Sequence, residues 1–181
     1  MPLHKDLNEY GEWLEFHNLS GEKFEVSVND LEKNIAWYDY GLAKEYTRLF
    51  EPFFIYSKDR THFIDLDTYS LVLEKKDDGK LTSPGINVDV KVQVVNTQNM
   101  SSAILLFCGT ECYPETALWR NNSWIEIYGF KINSKDKFVP TIWKIEIEDM
   151  RFTEYSYSKA FNKMPDNYNQ KHRLKNIEFE K

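Results

Sequence analysis

Over residues 117–158, ALWRNNSWIEIYGFKINSKDKFVPTIWKIEIEDMRFTEYSYS, apolar and polar positions alternate in short runs. Ile125 and Ile127 alternate with Glu126 and Tyr128; Trp143, Ile145 and Ile147 alternate with Lys144, Glu146 and Glu148. A period of two belongs to strands with one apolar and one polar face. The run RNNS between Trp119 and Trp124 predicts a tight hairpin, since asparagine is the non-glycine residue that best tolerates positive φ. NSKDKFVP and then EDMR supply the next two turns, so the stretch reads as four strands running up and down.

A fainter copy lies upstream, over residues 54–107. Tyr56 precedes SKDRT as Trp119 precedes RNNS, and Phe63, Ile64, Asp65 and Leu66 match Trp124, Ile125, Glu126 and Ile127. Val88, Val90, Val92 and Val94 form the third strand of this copy, and Ala103 to Phe107 the fourth. The offset is about 60 residues, against roughly 40 to 50 in common propeller blades, with the excess in the loop LEKKDDGKLTSPGI.

Tyr56, Ser57, Lys58, Asp59 and Arg60 resemble a degenerate W-S-P-D-G turn, which opens the blades of TolB-like β-propellers, and IWKIEIED resembles the strand that follows within such a blade. Lys58 stands in place of the proline and Arg60 in place of the glycine, and the second copy keeps only its tryptophan. Two blades do not close a propeller, which takes four to eight. The resemblance therefore implies blade-like sheets and an envelope-associated ligand-binding or scaffolding role.

The flanks read differently. In residues 1–52, Trp13, Leu14 and Phe16 precede a Ser20-Gly21 turn, and Phe24, Val26 and Val28 alternate with polar residues, which predicts an N-terminal β-hairpin. Residues 39–50 carry Leu42, Tyr46 and Leu49 at helical spacing before Pro52, which predicts one short helix. Residues 161–181 are polar and follow a Pro165 break; they read as a loosely packed tail, with a docking strand over residues 174–179 as the alternative. The fold expected is mainly β, a β-rich α+β single domain over residues 1–181, with copies at 53–110 and 111–160.

Composition narrows the function. The 29 acidic and 23 basic side chains give a net charge of −6, which disfavours nucleic acid as a partner. No run reaches the roughly 20 apolar residues of a membrane span, and the first residues lack the apolar core of a signal peptide. A soluble, cytoplasmic chain is expected, or a periplasmic or envelope one if a signal segment has been removed. Aromatic residues make up 15% of the chain and suit a bulky interior between sheets.

Chemical constellations are sparse. Asp65 and Asp67, at i and i+2 with His62 and Asp59 nearby, form a pair that can hold a divalent cation or divide acid and base roles; the same spacing also suits a plain polar strand face. Glu126 lies at the matching place in the second copy. His4, His17, His62 and His172 have no zinc spacing, and no phosphate loop, dinucleotide fingerprint or nucleophile elbow occurs, so neither cofactor nor catalysis is expected. Cys108 and Cys112 read as free thiols, as a disulfide closing a very small loop, or as part of a metal site; Cys112 could also serve as a nucleophile. Three Asn-X-Ser matches, at Asn18, Asn99 and Asn121, indicate exposed loops.

Tyr128 and Phe130 oppose Ile125 and Ile127; they are binding anchors if that face is open and core if both faces are covered. With Glu111, Tyr113, Glu115 and Trp119 clustered near the link between the copies, the expectation is a small acidic protein that binds another protein. An immunity or inhibitor protein neutralising a basic toxin or enzyme fits that expectation, with residues 108–119 as its contact region. A hydrolase using Asp65, Asp67 or Glu126 is the catalytic alternative.

Overall fold

The computed structural model describes residues 8–32 and 36–180. In chain order the elements are α1 (Asn8–Phe16), β1 (Phe24–Glu32), β2 (Trp37–Asp39), α2 (Lys44–Phe50), β3 (Ile55–Tyr56), β4 (His62–Asp65), β5 (Glu74–Lys75) and β6 (Leu81–Ser83). There follow β7 (Val90–Asn96), β8 (Ser101–Cys108), β9 (Cys112–Trp119), β10 (Trp124–Ile132), β11 (Phe138–Glu146), β12 (Arg151–Tyr157), α3 (Tyr168–Lys171) and β13 (Ile177–Phe179). The fold is mainly β, and among the described residues no sheet closes into a barrel or propeller. Contacts divide the chain into two compact units, Met1–Asn34 with Glu111–Tyr168, and Ile35–Thr110 with Asn169–Lys181.

The two large sheets share one plan. In the first unit the strand order is β1-β12-β11-β10-β9; in the second it is β2-β8-β7-β4-β3. Each takes four strands from one copy, laid antiparallel in sequence order, and a fifth from the N-terminal region, which pairs with the last strand of the copy. Tyr56 and Trp119 both end a first strand at its turn, pairing with Phe63 and Ile125 respectively. The turn after Trp119 does not use asparagine at positive φ. Instead the Asn121 carboxamide oxygen accepts from the backbone N–H groups of Ser123 and Trp124, both at 2.8 Å. The positive φ of 58° in the other copy's turn falls on Arg60, whose guanidinium lies 4.0 Å from the centre of the Tyr56 ring.

The N-terminal region is not a hairpin. Tyr10, Trp13, Leu14 and His17 recur at i, i+3, i+4 and i+7, a helical stripe. Asn18 then stops α1 at φ 53°: its own N–H donates to Glu15 O at 3.0 Å and that of Leu19 to Leu14 O at 2.8 Å, the bond pattern of a left-handed helix cap. The polar NLSG run is thus a helix stop, and β1 pairs with distant β12. Helix α1 lays Tyr10 and Trp13 on the face of the sheet that carries Leu118, Tyr128, Phe130 and Ile142. Trp13 stands 5.6 Å from Tyr128 and 6.0 Å from Phe130, centroid to centroid. Burial of one such aromatic side chain contributes about 1.5–3 kcal/mol. The opposite face holds Ile125, Ile127, Trp143 and Ile145, also buried, while Glu146 is half-buried.

In the second unit, α2 begins at Lys44 rather than Asp39, because Asp39 belongs to β2 and Gly41 turns the chain at φ 65°. Phe50, Phe53, Phe54, Phe63 and Val95 form a core that Leu174 and Ile177 complete. The expected polar tail is therefore docked: β13 pairs in parallel with β6, Ile177 against Leu81, in a small sheet with β5. Burial of Leu174 and Ile177 outweighs the polar composition around them. The long loop of the first copy contains β5 and β6, turned at Gly79 with φ 86°.

Candidate functional site

The buried carboxylates are the strongest candidates for chemistry, and the structure gives each a set of internal donors. Glu115, expected at a contact surface, is 2% exposed. It sits where β9 bulges: Tyr128 pairs with Thr116 but its neighbour Gly129 pairs with Pro114, so Glu115 is the extra residue. A bulge re-aims a side chain, and this one meets α1. Glu115 Oε2 accepts from Trp13 Nε1 at 2.8 Å and from His17 Nε2 at 2.7 Å, while Oε1 accepts from the Tyr168 N–H at 3.0 Å. Gly129 makes room for the bulge, because a Cβ there would stand 2.1 Å from Tyr113 O.

Glu126 also points inward, on the face covered by α1. Arg120 Nη2 lies 2.5 Å from its Oε2, and the Tyr128 hydroxyl donates to the same oxygen at 2.5 Å. Burial, reinforced by the adjacent Glu126 charge, pushes the Tyr128 hydroxyl well above its ordinary pKa, and Tyr10 beside it is pushed up to about 12 for the same two reasons. Both phenols stay protonated. Glu154 accepts from Lys131 Nζ at 2.9 Å, Trp143 Nε1 at 3.1 Å and Ser27 Oγ at 2.9 Å.

Asp65 and Asp67 are buried rather than placed on a polar outer face, and they serve different partners. Strand β4 ends at Asp65, so the i, i+2 rule does not carry to Asp67. Asp65 Oδ1 accepts from the N–H groups of Asp67 and Thr68, both at 3.0 Å, and Oδ2 accepts from Tyr40 Oη at 2.9 Å, Gln93 Nε2 at 2.8 Å and Thr68 Oγ1. Burial and the Asp65 charge push the Tyr40 hydroxyl far above its usual pKa, which keeps it a donor. Asp67 takes both Arg173 amino groups, Nη2 to Oδ1 at 2.7 Å and Nη1 to Oδ2, which ties down the C-terminal segment. Asp59 closes its own turn, accepting from Ser57 Oγ and from the N–H and hydroxyl of Thr61; those bonds hold its carboxyl below the ordinary range. His62 faces Thr61 and Asn96. The four residues thus do not converge, and among the described residues no group of three or more His, Cys, Asp and Glu is placed to hold a metal ion.

The sulfurs of Cys108 and Cys112 are disulfide-bonded, which replaces the free-thiol reading and removes Cys112 as a nucleophile. Of the contact region expected over residues 108–119, Glu111 is exposed, Tyr113 is half-buried 6.0 Å from the Phe138 ring, and Trp119 is half-buried in β9. With Glu115 turned inward, the four residues do not form one outward surface. Tyr128 and Phe130 are fully buried and belong to the core.

In the first unit, exposed apolar side chains lie on β1, at one edge of its sheet; in the second unit Trp37 and Tyr38 of β2 and Phe107 of β8 are exposed as well. Val26, Val28 and Leu31 are 52%, 37% and 48% exposed, and between Phe24 and Glu32 the sequence holds Glu25, Asp30 and Glu32 with no lysine or arginine. Two irregularities in the β1 and β12 register break the ladder beside them. The sequence carried a signal for this strand in its alternation, but its lack of a local partner was not visible there. No protein-family model, curated protein or solved structure matches the chain.

Proposed function

We propose that this protein is a non-catalytic binding module that recognises a basic protein through β1, in the manner of an inhibitor or immunity protein that neutralises a toxin or enzyme. One observation carries the reading: the acidic groups able to do chemistry are occupied by internal donors, while three aliphatic side chains stand exposed on an acidic edge strand. Exposed apolar groups on such a strand favour contact with a partner, and the acidic residues favour a basic one. Because bulges interrupt regular pairing, recognition rests on side chains more than on an added continuous strand. The net charge of −6 supports steering of a cationic partner at low salt.

The test is affinity capture from the native host with the wild-type chain and with a Val26→Glu, Leu31→Glu variant of unchanged circular dichroism. A basic protein enriched by the wild type and lost with the variant agrees with the reading. Equal capture by both, or an acidic partner, refutes it.

A further inference from the structure

The second unit contains a pocket of about 610 Å³, away from every carboxylate network except at one wall. That size falls within the roughly 300–1,000 Å³ of small-molecule sites. Its lining includes Leu42, Ala43, Met100 and Tyr40 together with two basic residues, Lys44 and Arg48, one turn apart on α2. Lys44 and Arg48 have no ion-pair partner among the described residues. Asp39 also lines the pocket, so its three charged side chains carry a net charge of +1, in a chain whose total is −6.

Internal bonds hold part of the wall. The Tyr40 N–H donates to Met100 O at 2.9 Å and its hydroxyl to Asp65 at 2.9 Å. Asp39 Oδ1 accepts from the Gly41 N–H at 3.2 Å, and Thr47 Oγ1 donates to Ala43 O at 3.1 Å. With the Tyr40 and Thr47 hydroxyls committed, the polar groups left for a ligand are mainly the two cations.

We propose that this pocket binds a small amphipathic monocarboxylate, its apolar body on Tyr40, Leu42 and Met100 and its carboxylate on Arg48 and Lys44. An aromatic or short aliphatic acid fits the mixture of apolar wall and paired cations. A dianion is disfavoured by Asp39, and a neutral analogue leaves the cations unengaged. This site is independent of the protein contact at β1, which belongs to the other unit.

The experiment titrates 3-phenylpropionate, and in parallel 3-phenylpropan-1-ol, into isotopically labelled protein and follows amide chemical shifts. The acid is expected to bind with a Kd on the order of 1 mM, shifting Gly41, Leu42, Ala43, Thr47 and Met100, and the alcohol about tenfold more weakly. Arg48→Ala and the pocket-filling Ala43→Phe should each weaken the acid about tenfold without altering shifts remote from α2. Equal binding of acid and alcohol, shifts centred elsewhere, or undiminished binding by both variants would overturn the assignment.

Discussion

The indole N–H of Trp13 donates to Glu115 Oε2 at 2.8 Å although 102 residues separate them in sequence. This bond, with those from His17 and Tyr168, joins helix α1, the β9 bulge and the segment after β12 at one buried carboxylate. Glu115→Ala should cost about 3 kcal/mol, since three donors lose their acceptor inside the core. Glu115→Gln, which keeps an acceptor oxygen, should cost less. Denaturant midpoints followed by tryptophan fluorescence check the order; an alanine variant as stable as wild type would contradict it.

Two glycines should respond in opposite directions. Gly129→Ala drives a methyl into Tyr113 O and Pro114 Cα at the bulge and should cost about 3 kcal/mol, whereas Gly11, in the exposed middle of α1, meets nothing within 4 Å. Gly11→Ala should stabilise by roughly 0.5–1 kcal/mol through helix propensity. Thermal or urea unfolding of the two variants gives the comparison.

The Arg173 to Asp67 pair holds the C-terminal segment onto the second unit. Asp67→Asn should speed hydrogen exchange at the amides of Ile177 and Glu180, which donate to Leu174 O and Ser83 O, while leaving Tyr128 in the other unit protected. Uniform protection in the variant would show that apolar burial alone fixes this segment.

Burial lowers the pKa of His62 from 6.5, against a smaller opposing effect of Asp59. Its native form therefore binds protons less readily than its unfolded form, so this residue's contribution favours folding above the unfolded pKa and is lost as pH falls through about 6.5 and below. His62→Gln should flatten the fall in stability on acidification from neutrality, read as denaturant midpoints at several pH values. An unchanged pH profile would show that His62 does not contribute to the loss of stability in acid.

Much of the sheet architecture was legible because the period of two persists through the second copy and the turn after each first strand follows an aromatic residue. The placement of the carboxylates was not. Glu126 alternates with isoleucines as an outward residue should, yet α1 covers that face and buries it; helix and strand lie more than a hundred residues apart. Glu115 is re-aimed by a bulge whose only trace is the glycine opposite it. In the C-terminal segment, Leu174, Ile177 and Phe179 are too few to outweigh polar neighbours in a local reading, but Leu174 and Ile177 suffice to complete a core that already exists. The helical stripe of Tyr10, Trp13, Leu14 and His17 was present, masked by the alternation of Phe24, Val26 and Val28 after it.

The most direct test of partner binding through β1 places a photo-crosslinking amino acid at Val26 in cells of the native host, with exposed Lys135 of the same unit as the control position. Binding through β1 should give one dominant adduct with a basic protein at Val26 and none at Lys135, suppressed when Leu31→Glu is added. No adduct at Val26, the same adducts at both positions, or an adduct with an acidic protein would contradict it.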